Sequence, residues 1–159
     1  QVNEWIYGKG MPSNFIKPSS AAFDRLDGEL TTSKASKDPK SFKTDGYSTH
    51  HWLYVLRHLP ALSTADVKAL DAAFDFNQIK NSEILCDWFQ LSIAYDYTKS
   101  YGPMRSFLNR VGRRKFLTPI YRSMKNKGPE GLEMARNIYA EAKKGYHTVA
   151  IETLDELLK

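Results

Sequence analysis

The spacing of apolar residues beyond residue 47 is the feature that most constrains the fold. Val67, Leu70 and Phe74 fall on one helical stripe, and the same spacing recurs in later segments. The segment 82–97 carries too many apolar residues for one stripe, which indicates a helix buried on much of its circumference. No alternating strand pattern bounded by Asn-Gly or Asp-Gly turns follows residue 47. We therefore predict an all-α domain of about eight to nine helices, stacked as antiparallel hairpins because the connections are short.

Several helix ends can be predicted from capping residues. Ser63 is followed by Asp66 three residues later, a capping-box pattern that begins a helix. Another helix is predicted to begin at 128–130, where Gly-Pro-Glu places a proline in the first turn, and to end at Gly145. Pro119 has no N–H, so it either lies in the first turn of a helix or kinks one.

The N-terminal region has a different pattern. Residues 1–18 combine Gly, Pro and Asn with large apolar side chains, which is typical of an extended segment and not of a helix. We predict an extended lead-in at 1–18, pinned by these side chains, and a helical domain at 19–159. Residues 31–46 are polar and predict a solvated loop. The first residue is Gln and not Met, so we expect a processed chain or part of a longer protein.

The positive charge of the chain is concentrated in one segment. The 159 residues, a length typical of one domain, have 23 Lys and Arg against 18 Asp and Glu, a net charge of +5. The segment 97–129 contains nine basic residues and no acidic one, which leaves 14 basic and 18 acidic residues elsewhere, a net of −4. The nine are Lys99, Arg105, Arg110, Arg113, Arg114, Lys115, Arg122, Lys125 and Lys127. Such an asymmetry needs an explanation.

The sequence disfavours several kinds of site. The single cysteine, Cys86, excludes a disulfide framework, and its apolar segment predicts a buried thiol instead of a nucleophile. The four histidines lack the His-Glu-x-x-His spacing of zinc hydrolases. We therefore assign no catalytic residue and no metal ligand to this chain. No apolar run approaches the length of a membrane span, and a single cysteine is compatible with the cytoplasmic location that we expect.

The strongest candidate site is the basic segment 112–116, Gly-Arg-Arg-Lys-Phe. One helix is predicted to end at its glycine and the next to begin directly behind, which places three cations where free N–H groups already favour an anion. A solvated basic face is the alternative from composition alone. A stand-alone helical scaffold that binds an acidic protein or nucleic acid through residues 99–127 is another. Phe107 and Phe116 lie on the apolar stripe, however, which favours core packing over base stacking.

Motifs along nearly the entire chain resemble the C-terminal helical domain of the leukotriene A(4) hydrolase branch of zinc aminopeptidases. The matching residues are Trp5-Ile6-Tyr7 with Gly10 and Pro12, the segment Phe74 to Ile84 with Trp88, the group Gly112-Arg113, Lys115-Phe116 and Pro119, and finally His147 and Val149. The Asn-Ser-Glu-Ile and Gly-Arg-x-Lys-Phe blocks are fairly specific when they occur together.

The resemblance implies a fold, a partner domain and a role. It implies two helix layers in a short α-α superhelix of the armadillo/HEAT kind, packed on an upstream catalytic domain that holds zinc. Proteins of this type remove N-terminal residues from peptides, and some also hydrolyse a lipid epoxide. By position, Arg113 and Lys115 would bind the carboxylate end of the substrate, with Arg114 as a helper of the anion site. The fragment would be inactive alone, since the zinc ligands would lie upstream.

Overall fold

The computed structural model describes residues 2–31, 38–39 and 42–159, and within these ranges the chain is helical without a strand. The described ranges contain nine α-helices: α1 Val2–Tyr7, α2 Ala21–Thr31, α3 Thr49–His58, α4 Thr64–Phe74, α5 Ser82–Ala94, α6 Tyr101–Arg110, α7 Arg114–Asn126, α8 Pro129–Ala142 and α9 Thr148–Leu157. Short 3₁₀ turns lie at Phe76–Gln78, Thr98–Ser100 and Lys143–Gly145. The all-α prediction is confirmed, and the superhelical arrangement of two layers stays a prediction.

The core is centred on α5 and α7. Helix α7 packs against α5, α8 and α9, and α5 also packs against α3. The buried residues of α7 recur every three or four positions, as expected for a helix with one face on the core. They are Phe116, Leu117, Ile120, Tyr121 and Met124. Helix α5 buries seven of its 13 residues, which confirms that most of its circumference is covered.

The predicted capping residues act as expected. The Ser63 hydroxyl accepts a hydrogen bond from the Asp66 N–H at 3.2 Å, and the Asp66 carboxylate accepts one from the Ser63 N–H at 2.8 Å. Gly128 adopts φ 94° directly before Pro129, the first residue of α8. Pro119 lies inside α7 beyond its first turn, so the first-turn alternative is excluded.

The prediction of an extended, non-helical segment at 1–18 is wrong for its first residues, which form α1. Contacts with residues nine positions later hold this short helix against the following turn. The Trp5 indole N–H donates to the Asn14 side chain at 2.9 Å, and the Ser13 N–H donates to the Glu4 carboxylate at 2.7 Å. The large apolar side chains of residues 2–16 are exposed and not buried against the helical domain, with Tyr7 at 80% exposure. The domain division at residue 18 stays a prediction.

The predicted loop at 31–46 is not solvated throughout. Residues 32–37 and 40–41 lie outside the described ranges. Phe42, however, is only 5% exposed and packs with residues of α2 and α3 in a small second cluster. The buried members of this cluster are Leu26, Leu30, Phe42 and Val55. Phe42, an aromatic side chain in a polar stretch, is therefore part of the buried cluster beside α2 and α3.

Candidate anion-binding groove

The nine basic residues of the segment 97–129 divide into paired and unpaired groups. Four bind carboxylates elsewhere in the fold: Lys99 with Asp71 at 3.0 Å, Arg105 with Glu141, Lys115 with Glu83 at 2.5 Å and Lys127 with Asp96 at 2.7 Å. A fifth, Lys125, donates to the Leu157 carbonyl at 2.5 Å. The other four form no ion pair with any described carboxylate: Arg110, Arg113, Arg114 and Arg122. All four are arginines, the side chain best suited to bidentate carboxylate binding.

Three of these unpaired arginines line one groove of about 640 Å³. Arg110 lies at the end of α6, and Arg113 and Arg114 lie at the start of α7. His147 lines the groove from the start of α9, and apolar side chains complete its wall, namely Val111, Val149 and Ala150. None of the lining residues is acidic. The groove is therefore a cationic surface with an apolar wall, a combination suited to an anion attached to an apolar body.

Two backbone turns meet at the groove. A Cβ atom on Gly112 would lie 2.9 Å from the Gly145 carbonyl oxygen, closer than real side chains approach, so the turn before α7 requires glycine here. The N-cap residues of α7 and α9 are Arg113 and His147, and neither side chain makes a capping hydrogen bond. Free N–H groups at both helix starts therefore add to the positive potential of the arginines.

The two residues predicted to bind a carboxylate share one aromatic contact but differ in their charged partners. Both cations lie over the buried Phe116 ring, the Arg113 guanidinium at 5.7 Å and the Lys115 ammonium at 5.6 Å from its centroid. Arg113 lines the groove, whereas Lys115 does not and binds Glu83 of α5. The cation–π contacts orient both side chains from one aromatic ring. Arg113 and Arg114 thus keep unpaired guanidinium groups, and Lys115 already has a partner within the fold.

Two basic residues of the groove, Arg110 and His147, are not among the predicted site residues. Arg110 precedes the basic motif, and His147 follows it by more than 30 residues. Whether a basic residue is paired depends on carboxylates that lie about 30 residues away, such as Glu83 and Glu141. No local pattern of the segment 97–129 shows these partners. The absence of acidic residues in that segment was the only signal available.

The segment 74–84, the second block of the resemblance, has a structural role. The buried Asp71 carboxylate accepts hydrogen bonds from the Asn77 amide at 2.9 Å, the Tyr97 hydroxyl at 2.9 Å and the Lys99 ammonium at 3.0 Å. The Asn77 oxygen in turn accepts from the Trp88 indole at 3.1 Å. The bond to Asp71 raises the pKa of the Lys99 ammonium, and burial raises that of the Tyr97 hydroxyl. We call this cluster of five side chains the Asp71 network.

The other candidate groups offer no chemistry of their own. Cys86 is buried, and burial raises the pKa of its thiol to about 12, so it stays protonated. His51 accepts a hydrogen bond from the Ser48 N–H at 2.9 Å and so caps α3. The described part of the chain holds no group of three or more His, Cys, Asp or Glu residues placed to bind a metal. Within the same ranges, no helix combines the length and apolar character needed to cross a membrane.

Comparison with known proteins identifies a family that this chain matches. Residues 47–158 match the family described as "Leukotriene A4 hydrolase, C-terminal". The chain is 27% identical to leukotriene A-4 hydrolase of Xenopus laevis over 130 residues, 77% of this chain and 21% of the relative. It is 22% identical to aminopeptidase B of Rattus norvegicus over 152 residues, 89% of this chain and 23% of the relative.

A third relative extends the match to the N-terminal region. A leukotriene A-4 hydrolase homolog of Botryotinia fuckeliana is 24% identical over 165 residues, 99% of this chain and 24% of that protein. The chain thus spans about a fifth to a quarter of the length of these curated relatives. The family match confirms the predicted resemblance.

Proposed function

The chain belongs to the family of leukotriene A4 hydrolase C-terminal domains, and from this premise we propose that it serves as the substrate-end-binding domain of a zinc aminopeptidase. In this proposal the chain packs on an upstream catalytic domain and binds the carboxylate end of a peptide. The names of the relatives support a parent hydrolase, and one of them, aminopeptidase B, supports an enzyme that cleaves peptides. The observation that carries the proposal is the groove, where three arginines have no acidic partner among the described residues.

Arg113 is the residue to which we assign the substrate carboxylate. It is exposed, it lines the groove, and its guanidinium is positioned over the Phe116 ring. A guanidinium can donate two parallel hydrogen bonds to a carboxylate. Lys115 is the second cation of the proposal. Its ammonium has three N–H groups, and the bond to Glu83 leaves others free for a ligand.

In this proposal, the zinc site and the binding of the far end of the peptide belong to different domains. The described residues include no cluster fit to hold zinc, so the zinc of the parent enzyme and its catalytic residues belong, in this proposal, to the upstream domain. Bound zinc would polarise the scissile carbonyl and activate water there. The residues of this chain would bind and orient the far end of the peptide. A cytoplasmic location is part of the same proposal.

The proposal can be tested in the full-length enzyme with Arg113→Gln. We expect kcat/KM for a tripeptide with a free carboxylate to fall roughly 10- to 100-fold, the effect of losing a charge-assisted hydrogen bond. For the same tripeptide with an amidated C-terminus, kcat/KM should be nearly equal in wild type and Arg113→Gln, because this peptide has no carboxylate to bind. Zinc content, measured by metal analysis, should stay the same.

A matched control is available on the same helix. Arg122 is an exposed arginine of α7 that has no ion pair with a described residue and does not line the groove. Arg122→Gln removes the same charge, and we expect kcat/KM to be unchanged. Equal kcat/KM values for wild type and Arg113→Gln with the free tripeptide would contradict the proposed role.

Binding to nucleic acid receives less support from the structure. The aromatic residues interleaved with the basic ones are largely buried, including Phe107, Phe116 and Tyr121, so these three rings have no face free for stacking on bases. Tight DNA binding with a steep salt dependence would favour this alternative.

A further inference from the structure

The groove holds more positive charge than one carboxylate can balance. Arg110, Arg113 and Arg114 all line it, and none of its lining residues carries a negative charge. Arginine is charged at any physiological pH, so three guanidinium groups in one groove repel one another. A single terminal carboxylate would neutralise only one of them. The remaining charge requires either solvent and counterions or a second anionic group on the ligand.

Other cations of the segment 97–129 form ion pairs within the fold. Arg105 at the middle of α6 binds Glu141 of α8, and Lys127 after α7 binds Asp96. In each case an acidic residue from another part of the chain lies within reach. The three arginines of the groove have no such partner among the described residues. Their guanidinium groups are therefore available to an anion from outside this domain.

Resting on the proposed function, we propose that the groove selects peptides whose C-terminal residue is itself acidic, Asp or Glu. Arg113 binds the main-chain carboxylate, and Arg114 binds the side-chain carboxylate, with Arg110 adding to the potential. The apolar wall, which includes Val111 and Val149, contacts the methylene groups of that side chain. The volume of about 640 Å³ is in the range of sites that enclose a small ligand.

The test compares two peptides of nearly equal size in the full-length enzyme, Ala-Ala-Glu and Ala-Ala-Gln. We expect wild type to prefer the Glu peptide about 10-fold in kcat/KM, the factor that corresponds to one additional ion pair of about 1.4 kcal/mol. The preference should weaken as salt is raised, because the contact is electrostatic. Arg114→Gln should bring the ratio of the two kcat/KM values close to one.

Two further variants accompany this test, a control outside the groove and a second substitution within it. Arg122→Gln should retain the 10-fold preference, since Arg122 does not line the groove. Should Arg114→Gln fail to fold, as judged by circular dichroism, Arg110→Gln tests the same groove from α6 and should reduce the ratio.

The outcomes distinguish failure of this inference from failure of the proposed function on which it rests. Equal kcat/KM values for the two peptides in wild type overturn the present inference, while a loss in Arg113→Gln with both peptides would still support carboxylate binding. A Glu preference that survives both Arg114→Gln and Arg110→Gln also overturns the inference. If neither peptide depends on Arg113, the proposed function fails.

Discussion

The Asp71 network and the arginine groove are two charged regions of one small domain, and they differ in where their partners lie. Asp71 is only 2% exposed, and its carboxylate is bound by Asn77, Tyr97 and Lys99 from the same chain. The groove collects three arginines on an accessible surface, without an acidic partner in the described residues. Asp71 therefore contributes to the fold through its internal partners, whereas the three arginines of the groove are available to a ligand.

The largest expected effect is on stability, from Asp71→Ala. The substitution removes the acceptor of the buried Tyr97 hydroxyl and of the partly buried Asn77 amide and leaves both polar groups without that partner. We expect the free energy of unfolding to fall by roughly 3 kcal/mol, as when one partner of a buried polar cluster is lost. Urea denaturation followed by circular dichroism measures this change.

The control for this variant is Glu152→Ala on α9. Glu152 is exposed and has no described hydrogen bond or ion pair, so we expect a change within about 0.5 kcal/mol. If Asp71→Ala unfolds at the same urea concentration as this control, the network does not stabilise the fold and the distinction between the two regions fails.

An intermediate effect is expected from Lys115→Gln. Both side chains of this pair are in contact with solvent, Glu83 at 31% and Lys115 at 55% side-chain exposure, so solvent screens the pair. We expect a loss of stability of no more than about 1 kcal/mol. A double-mutant cycle with Glu83→Gln isolates the coupling energy. A coupling well above this range would mean that Lys115 contributes to the stability of the fold, as the Asp71 network does.

The smallest expected effect on stability is that of Arg113→Gln combined with Arg114→Gln. Neither side chain has an acidic partner to lose among the described residues, and removing two like charges relieves repulsion. We expect the free energy of unfolding to stay within about 0.5 kcal/mol of wild type. A marked destabilisation in urea would mean that these arginines support the fold, and their assignment to a ligand would lose its basis.

The elements that could be predicted from sequence are those with local causes. Ser63 and Asp66 form a capping box because their side chains are three residues apart on one chain. Pro129 begins α8 because its ring fixes φ and its missing N–H is not needed there. The apolar stripes likewise predict which faces of the later helices are buried.

The elements that could not be predicted depend on distant contacts. Helix α1 has aromatic and β-branched residues that disfavour helices, and its closing contacts come from Ser13 and Asn14. The candidate site shows the same limit. The sequence indicates Arg113, Lys115 and Arg114, but only the fold shows that Glu83 binds the lysine and that Arg110 and His147 line the groove.

The close approach of Gly112 to Gly145 has a consequence for how such a domain can diversify. Where the two turns meet, main-chain atoms fix the spacing of the groove, and the arginines are attached to that frame. Substitutions at positions 110, 113 and 114 would therefore change the charge pattern and leave this main-chain frame intact. Selection could alter ligand preference in descendants of this chain by single codon changes, without repacking the helices that support it.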